Sequence, residues 1–333
     1  MGKLGQHTAA GILPAAMRPC SLNIHYQFLG EMQMDHTKPV ENAMSGLLLG
    51  FRIQNRENSF GNQILYDMCD PNKNPWGDVT RLADKIWLIG RSYAASPERR
   101  YYRKKNESGA DEGRTEPETR GDGTGKYFQE TAEILRQDKR YSGLAAGLQA
   151  LTPLRFDGGA EDIKLLKQGI VCVALFNEML KAASEQYDRE HNASIYESLV
   201  YRNQISFCSK FLHFHVPYSI FIIDRFTKEG GRFLCSTRTQ KNAGLEDCAI
   251  VIDKAVREAV NACFPQFKIS LESINTEVGD DAMGAVKEYI AHCLRSYRFG
   301  CFLHDKLDLS PDNAACSFPR MIDAIFQRVK ETE

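Results

Sequence analysis

The fold is decided by the stretch QISFCSKFLHFHVPYSIFIIDRFTKEGGR, residues 204–232. An apolar helical run at 205–215 holds one lysine, Lys210, and ends at a proline-containing break. A second apolar run at 220–223 then leads directly to Asp224. A carboxylate that follows four bulky apolar residues lies at the rim of a buried layer, where its neighbours can hold it in place and tune its pKa. We therefore expect Asp224 to be central to the chemistry of this protein.

Length and composition are those of a globular protein with no overall charge bias. The 333 residues suffice for one large domain or two modest ones. A net charge of −1 gives no general attraction to nucleic acid or acidic membranes, so any site for a polyanion must come from local clustering. No apolar run approaches about 18 residues, and no basic region precedes the weakly apolar segment 9–17. We expect neither a transmembrane helix nor a signal peptide.

The ten cysteines include no CxxC pair, and several lie in apolar helical runs. This pattern is typical of reduced thiols in a cytoplasmic protein and argues against a disulfide framework. A zinc site formed by Cys208, His213 and His215 would have none of the usual ligand spacings. Phosphate-binding motifs of the forms GxxxxGK[ST] and GxGxxG are also missing. We expect no metal and no cofactor.

Helical periodicity dominates the chain, and strand-like alternation is clearest in one short segment, 268–274. The pattern predicts an all-α, bundle-like protein with little or no sheet, as one domain or two lobes. The predicted divisions are an irregular N-terminal segment 1–40, a helical lobe 41–150 and a helical lobe 151–333. The predicted helices are 59–68, 75–96, 126–136, 161–190, 205–215, 245–264, 280–298 and 319–329. Residues 106–125 have five glycines and no large apolar side chain, so they predict a mobile loop.

A dense basic cluster occupies residues 81–105, where eight Arg or Lys accompany two acidic residues. Tyrosines are interleaved with the charges, a combination that suits phosphate binding and base stacking. The alternative is a solvated helix end, where cations are favoured, followed by a loop. The DNA-binding candidates from this cluster, together with one from the opening stretch, are Arg91, Tyr93, Arg99, Arg100, Arg103, Lys104 and Arg225.

Four polar residues of the opening stretch have both a chemical and a structural interpretation. Lys210 is either a partly buried amine with enhanced nucleophilicity or a packed stem whose charge reaches water or an acid. Asp224 is a catalytic carboxylate, a helix N-cap, or both. His213 and His215, at i and i+2, do not share a helix face, so we expect one to pack and the other to be exposed.

The segment SFCSKFLHFHVPYSIFIID, residues 206–224, resembles the end of the catalytic core in the helix-hairpin-helix superfamily of DNA glycosylases. There a lysine or another residue opens an apolar helix, a turn follows, and an aspartate at the top of the next helix faces a flipped nucleotide. The chain departs from that pattern in two ways. YRNQI at 201–205 replaces a glycine-rich hairpin of the form LPGVG, and the Lys210–Asp224 spacing is shorter than in lyase-type members.

Together with WLIGRSYAASPERR at 87–100, the same segment is similar to bacterial phage-defence glycosylases that excise glucosylated hydroxymethylcytosine. The resemblance implies cleavage of an N-glycosidic bond in phage DNA, without a metal, on a nucleotide flipped into a pocket between helices. Asp224, assisted by Lys210, would stabilise the oxocarbenium-like sugar and activate water. His213, His215 and Tyr218 would line the base pocket.

Two other functions fit the same sequence. One is a non-catalytic helical protein that binds nucleic acid or another partner through the Arg/Tyr cluster, with Asp224 in a structural role. The other is a helical nuclease that uses scattered acids and a divalent metal.

Overall fold

The computed structural model describes residues 58–70, 78–93, 95, 97–105, 111–114, 118–119, 125–235, 280–307 and 317–330. All of them belong to one compact unit, His36–Glu333. Helix accounts for 74% of the described residues, which confirms the predicted all-α class. The predicted N-terminal segment 1–40, helix 245–264 and strand 268–274 lie outside these residues, and the division into two lobes stays a prediction.

The described part of the chain contains nine α-helices. They are α1 Asn58–Cys69, α2 Val79–Ser92, α3 Lys126–Gln137, α4 Tyr141–Gln149, α5 Ala160–His191, α6 Ile205–His215, α7 Arg225–Leu234, α8 Asp280–Leu307 and α9 Phe318–Lys330. Among these residues no helix has both the length and the apolar character needed to cross a membrane.

Helices α5 and α6 form the centre of the core. The middle of α5 is buried almost all round, as its uninterrupted apolar run predicts, and it packs against α3, α4, α6 and α8. Helix α6 is buried along nearly its whole length. Stacked rings of Phe176 and Phe211, with centroids 4.8 Å apart, join the two helices. The segment with the most apolar sequence thus lies at the centre of the protein.

Four short strands lie beside the helices: β1 Arg99–Lys105, β2 Asp111–Arg114, β3 Glu118–Thr119 and β4 Leu199–Val200. Strand β1 pairs antiparallel with the other three in turn along its length. Strands β2 and β3 correct the predicted loop at 106–125 for six of its residues. The prediction failed because it considered only the lack of large apolar side chains in 106–125. Strands β2 and β3 pair through their backbones with β1, which itself contains Tyr101 and Tyr102.

Helix α7 packs unusually closely on α9, because two adjacent glycines face it. A Cβ added at Gly230 would lie 1.9 Å from the Phe326 carbonyl oxygen, and one at Gly231 would lie 2.8 Å from the Phe326 ring. No side chain can occupy the first position unless the two helices move apart. The paired glycines therefore fix the position of α7, which begins directly after Asp224.

We expect Gly230→Ala to lower the free energy of unfolding by about 3 kcal/mol, because the methyl group overlaps backbone that cannot yield. Gly143→Ala is the matched control: it lies in α4 with nothing within 4 Å of the added Cβ. The control is expected to be neutral or to stabilise by up to about 1 kcal/mol. Urea unfolding measures both variants, and equal stability of the two would contradict the close packing.

Candidate active site

The buried run 220–223 is extended and is held mainly by side chains. His213 Nδ1 lies 2.7 Å from the Ile220 carbonyl oxygen, the Tyr289 hydroxyl donates to the Phe221 carbonyl at 2.8 Å, and His292 Nε2 lies 2.8 Å from the Ile222 carbonyl oxygen. We call His213, Tyr289 and His292 the carbonyl clamp. Because a buried carbonyl without a partner costs about 1–3 kcal/mol, the clamp allows irregular backbone inside the core.

Asp224 follows this run and caps helix α7. Its Oδ1 accepts a hydrogen bond from the Thr227 backbone N–H at 2.9 Å, and the Thr227 hydroxyl lies 2.9 Å from the Asp224 backbone nitrogen. This reciprocal capping box confirms the structural interpretation of Asp224 as an N-cap. The cap uses one carboxylate oxygen, and the side chain remains 17% exposed. Capping therefore leaves the other oxygen available for chemistry.

Lys210 is the ion-pair partner of that other oxygen. Its Nζ lies 3.3 Å from Asp224 Oδ2, 3.5 Å from the Ser206 hydroxyl and 5.5 Å from the centre of the Tyr93 ring. The lysine side chain is only 6% exposed. The structure thus supports the interpretation in which the stem of Lys210 packs in the core and its charge reaches an acid.

Both residues line a cleft of about 420 Å³. This volume lies within the range of ordinary small-molecule sites. The cleft is bounded by the end of α2, the start of β1, α5, the segment 201–204, the first half of α6 and the start of α7. Its lining residues are Tyr93, Ala95, Arg99, Tyr101, Lys181, Ser184, Tyr201, Arg202, Asn203, Gln204, Ser206, Phe207, Lys210, Asp224, Arg225 and Phe226.

The cleft is strongly cationic. Among the described residues that line it, five are Arg or Lys and Asp224 is the single carboxylate. Aromatic side chains are interspersed among the cations, and the Arg202 guanidinium lies 4.6 Å from the centre of the Tyr101 ring. A concave, positively charged and aromatic surface suits a ligand that carries both phosphate and a flat ring.

The structure brings together five of the predicted site residues: Asp224, Lys210, Tyr93, Arg99 and Arg225 all line the cleft. Arg91 lies outside the lining and pairs with buried Glu98 at 3.1 Å. Arg100 follows Arg99 on β1, so strand alternation turns it to the opposite face. Arg103 and Lys104 lie farther along the same strand.

The predicted base-pocket residues are not in the cleft lining, which corrects that part of the prediction. His213 and His215 are both buried, whereas the sequence predicted one to be exposed. His213 belongs to the carbonyl clamp and lies 3.0 Å from the Tyr66 hydroxyl, and His215 lies 3.3 Å from Lys85 Nζ. The expectation failed because the core surrounds α6 on all sides, so residues on different helix faces are buried alike. Tyr218 is half-buried in the turn after α6.

Sequence reasoning missed the segment 201–204 and the side chain that anchors it. Buried Asn177 accepts a hydrogen bond from the Gln204 backbone N–H at 2.6 Å and donates to the Asn203 side chain at 3.1 Å. An asparagine within the most apolar part of α5 is the sequence feature that could have indicated this anchor. Lys181, one helical turn later, is brought to the cleft by the same helix face.

A second acidic residue lies outside the cleft lining. Asp323 on α9 is buried and hydrogen-bonded to Arg320. Burial raises the pKa of Asp323 to about 6. The positive charges of Arg320 and Lys210 oppose this rise, and the negative charge of Asp224 adds to it. Asp224 and Lys210 therefore lie within electrostatic range of a second charged pair on α9.

Comparisons with protein-family models, curated proteins and solved structures find no match to this chain. Among the residues that the structure describes, no three His, Cys, Asp or Glu side chains are grouped as metal ligands. The cleft and its residues are therefore the features that indicate a function.

We expect the protein to lose stability as the pH falls below about 6.5. Burial lowers the pKa of His213 and His215 to about 3 and that of His292 to about 4. The unfolded chain takes up protons near pH 6.5 while the folded chain does not, so acid favours unfolding. Asp323 and Glu178, whose pKa values burial raises, act in the opposite direction at lower pH.

The expected net effect is a loss of about 1–3 kcal/mol in the free energy of unfolding between pH 7 and pH 5.5. Urea unfolding at pH 7.5, 6.5 and 5.5 measures it, with a constant denaturant dependence as the check on two-state behaviour. Stability that is unchanged or higher at pH 5.5 would show that the three histidines are not held neutral.

Proposed function

We propose that this protein is a DNA N-glycosylase that binds a flipped nucleotide in the cleft and cleaves its N-glycosidic bond. The observation that carries the proposal is the place of Asp224, the single carboxylate in a cleft lined by five cations. The cations suit the phosphates of DNA. The carboxylate suits the positive charge that develops on the sugar when the base leaves.

The proposed step is a displacement at the sugar. The bond from C1′ to the base nitrogen breaks, and its electron pair leaves with the base, which takes a proton from solvent. Asp224 stabilises the positive charge on the sugar and accepts a proton from the attacking water, whose oxygen forms the new bond to C1′. The products are a free base and an abasic site in an otherwise intact strand.

Lys210 holds the carboxylate in position in this mechanism. The 3.3 Å ion pair and the cap to Thr227 fix Asp224 from two sides, so its orientation does not depend on the ligand. Arg99, Arg202 and Arg225 are placed to contact phosphates, and Tyr93 supplies an aromatic wall. The chemistry requires no metal ion or cofactor.

The proposed substrate is the one that the sequence resemblance implies: a modified cytosine, glucosylated on its hydroxymethyl group, in phage DNA. Release of such bases would leave abasic sites in the phage genome and so act in antiviral defence within the cytoplasm. Hydroxyl groups on the sugar adduct would find hydrogen-bonding partners in the side-chain amides of Asn203 and Gln204, which line the same cleft.

We expect Asp224→Asn to lower single-turnover base release by at least about a hundredfold, because the charge that stabilises the sugar is lost. Asparagine caps a helix as well as aspartate does, so α7 keeps its cap. The buried Lys210 ammonium loses its ion-pair partner, so the melting temperature is expected to fall by several degrees while the fold is kept. DNA affinity is expected to stay equal or to rise. The substrate is an oligonucleotide that contains glucosylated hydroxymethylcytosine, with released base measured by mass spectrometry.

Asp78→Asn is the matched control, because Asp78 caps α2 through the Arg81 backbone N–H and lies outside the cleft lining. This control is expected to keep the wild-type rate. If Asp224→Asn releases base at the wild-type rate, Asp224 is only the N-cap of α7. DNA binding by the wild type without release of any base would favour the non-catalytic alternative.

We expect Lys210→Met, which keeps the length of the stem and removes the charge, to slow base release by about tenfold or more. The wild-type product is expected to stay unnicked until alkali is added, because Lys210 is engaged with Asp224. Denaturing gels with and without alkali, together with borohydride trapping, measure both points. A trapped protein–DNA adduct that Lys210→Met abolishes would instead assign Lys210 as a nucleophile.

A further inference from the structure

Phe226 is the most exposed large apolar side chain in the described part of the chain, at 55%. It lies in the first turn of α7, two residues after Asp224, and lines the same cleft. Single exposed apolar residues are common on protein surfaces. This one differs because it lies at the edge of the cleft that holds the proposed catalytic carboxylate.

The backbone of Phe226 is held rigidly. The capping box of Asp224 and Thr227 fixes the first turn of α7, and Gly230 and Gly231 seat the rest of the helix against Phe326. The Cα of Phe226 therefore stays beside Asp224, whichever rotamer the ring adopts. Its neighbour Arg225 has a side chain that is 80% exposed and pairs with Glu229 at 3.1 Å, so an exposed cation and an exposed ring both lie in the first turn of α7.

A flipped nucleotide leaves a gap in the base stack of the duplex, and proteins that distort DNA often fill such gaps with an apolar side chain. The sugar of the flipped nucleotide stays in the DNA backbone beside that gap. A residue that fills the gap must therefore lie within about one nucleotide of the group that acts on C1′. Phe226 meets this requirement, because it is two positions after Asp224 and Cα atoms two positions apart lie only about 5–7 Å from each other.

Tyr93 is the aromatic residue of the cleft that the sequence predicted to contact DNA. Its ring packs against Phe214, with centroids 5.5 Å apart, and lies beneath the Lys210 ammonium. It is thus part of the cleft wall. Of the other described aromatic residues that line the cleft, Tyr101 and Tyr201 are half-buried and Phe207 is buried. Among these rings Phe226 is the one exposed enough to enter a partner.

We propose that Phe226 inserts into the base stack of duplex DNA and occupies the place of the flipped nucleotide. The inference rests on the proposed function and assigns a substrate form to it: duplex DNA, in which a gap must be filled. Single-stranded DNA has no continuous stack to restore, so the contribution of Phe226 is specific to duplex DNA. Arg225 would hold the phosphate next to the gap.

The first test measures base release from the same modified oligonucleotide in duplex and single-stranded form. Phe226→Ala is expected to slow release from the duplex by roughly tenfold to a hundredfold and to slow release from the single strand much less. Trp87→Ala is the matched control, because Trp87 is 47% exposed on α2 and lies outside the cleft lining. Equal effects of Phe226→Ala on both DNA forms, or no effect on either, would overturn the inference.

The second test does not depend on catalysis. In the Asp224→Asn background, 2-aminopurine placed beside the modified cytosine of the duplex is expected to change its fluorescence on binding, and Phe226→Ala is expected to abolish most of that change. An unaltered change in Phe226→Ala would refute insertion. If the wild type releases base from neither DNA form, the proposed function fails, and the fluorescence comparison still decides whether Phe226 enters the stack.

Discussion

The carbonyl clamp is the interaction on which the candidate site depends. An apolar extended segment in a helical core needs partners for its peptide groups, and here three successive carbonyls receive them from His213, Tyr289 and His292. The histidines belong to α6 and α8, so two helices must pack correctly before residues 220–223 can be buried. Because Asp224 follows this segment directly, the same packing sets the position of the carboxylate. Burial lowers the pKa of His213 and His292, so both are neutral. A neutral imidazole has one N–H, which is the donor that a buried carbonyl oxygen needs.

A second constraint acts from the other side of Asp224. Helix α7 begins at Arg225 and approaches α9 so closely that Gly230 has no room for a Cβ. The carboxylate is thus held between an irregular segment fixed by hydrogen bonds and a helix fixed by steric contact. Movement of the segment would leave buried carbonyl groups without partners, and movement of the helix toward α9 would make backbone atoms overlap, so both are rigid. A site built in this way can keep its geometry in the absence of a ligand, which is the condition for electrostatic stabilisation of a transition state.

The sequence predicted the bounds of five helices to within one residue at each end: α1, α3, α5, α6 and α9. The prediction 75–96 extends beyond α2 at both ends, and the prediction 280–298 stops nine residues before α8 ends at Leu307. The bounds of α6 agree fully with the prediction, and those of α5 agree to within one residue at each end. Helix α4 was not predicted, because it is short and its two glycines weaken the helical pattern. The roles of His213 and His215 were out of reach for a different reason: the helical periodicity of α6 cannot show that the core encloses every face of the helix. The cleft residue Lys181 was missed because only tertiary packing brings α5 to the cleft. Arg202 and Phe226 lie close in sequence to Lys210 and Asp224, but the sequence does not show which neighbouring side chains line the cleft.

The charge distribution of the cleft explains why one acidic residue can function among so many cations. A carboxylate in the path of DNA repels phosphate, and an isolated one would weaken binding. Here five cations outnumber it, and the nearest, Lys210, is paired with it, so the field at the mouth of the cleft still attracts a polyanion. The negative charge of Asp224 then acts only at short range, on the part of the ligand that lies next to it. In a nucleotide that part is the sugar, which becomes positive as the base departs. In the proposed mechanism the cations bind the ligand in its ground state, whereas the carboxylate acts mainly on the transition state. This difference would distinguish a catalytic cleft from a surface that only binds DNA.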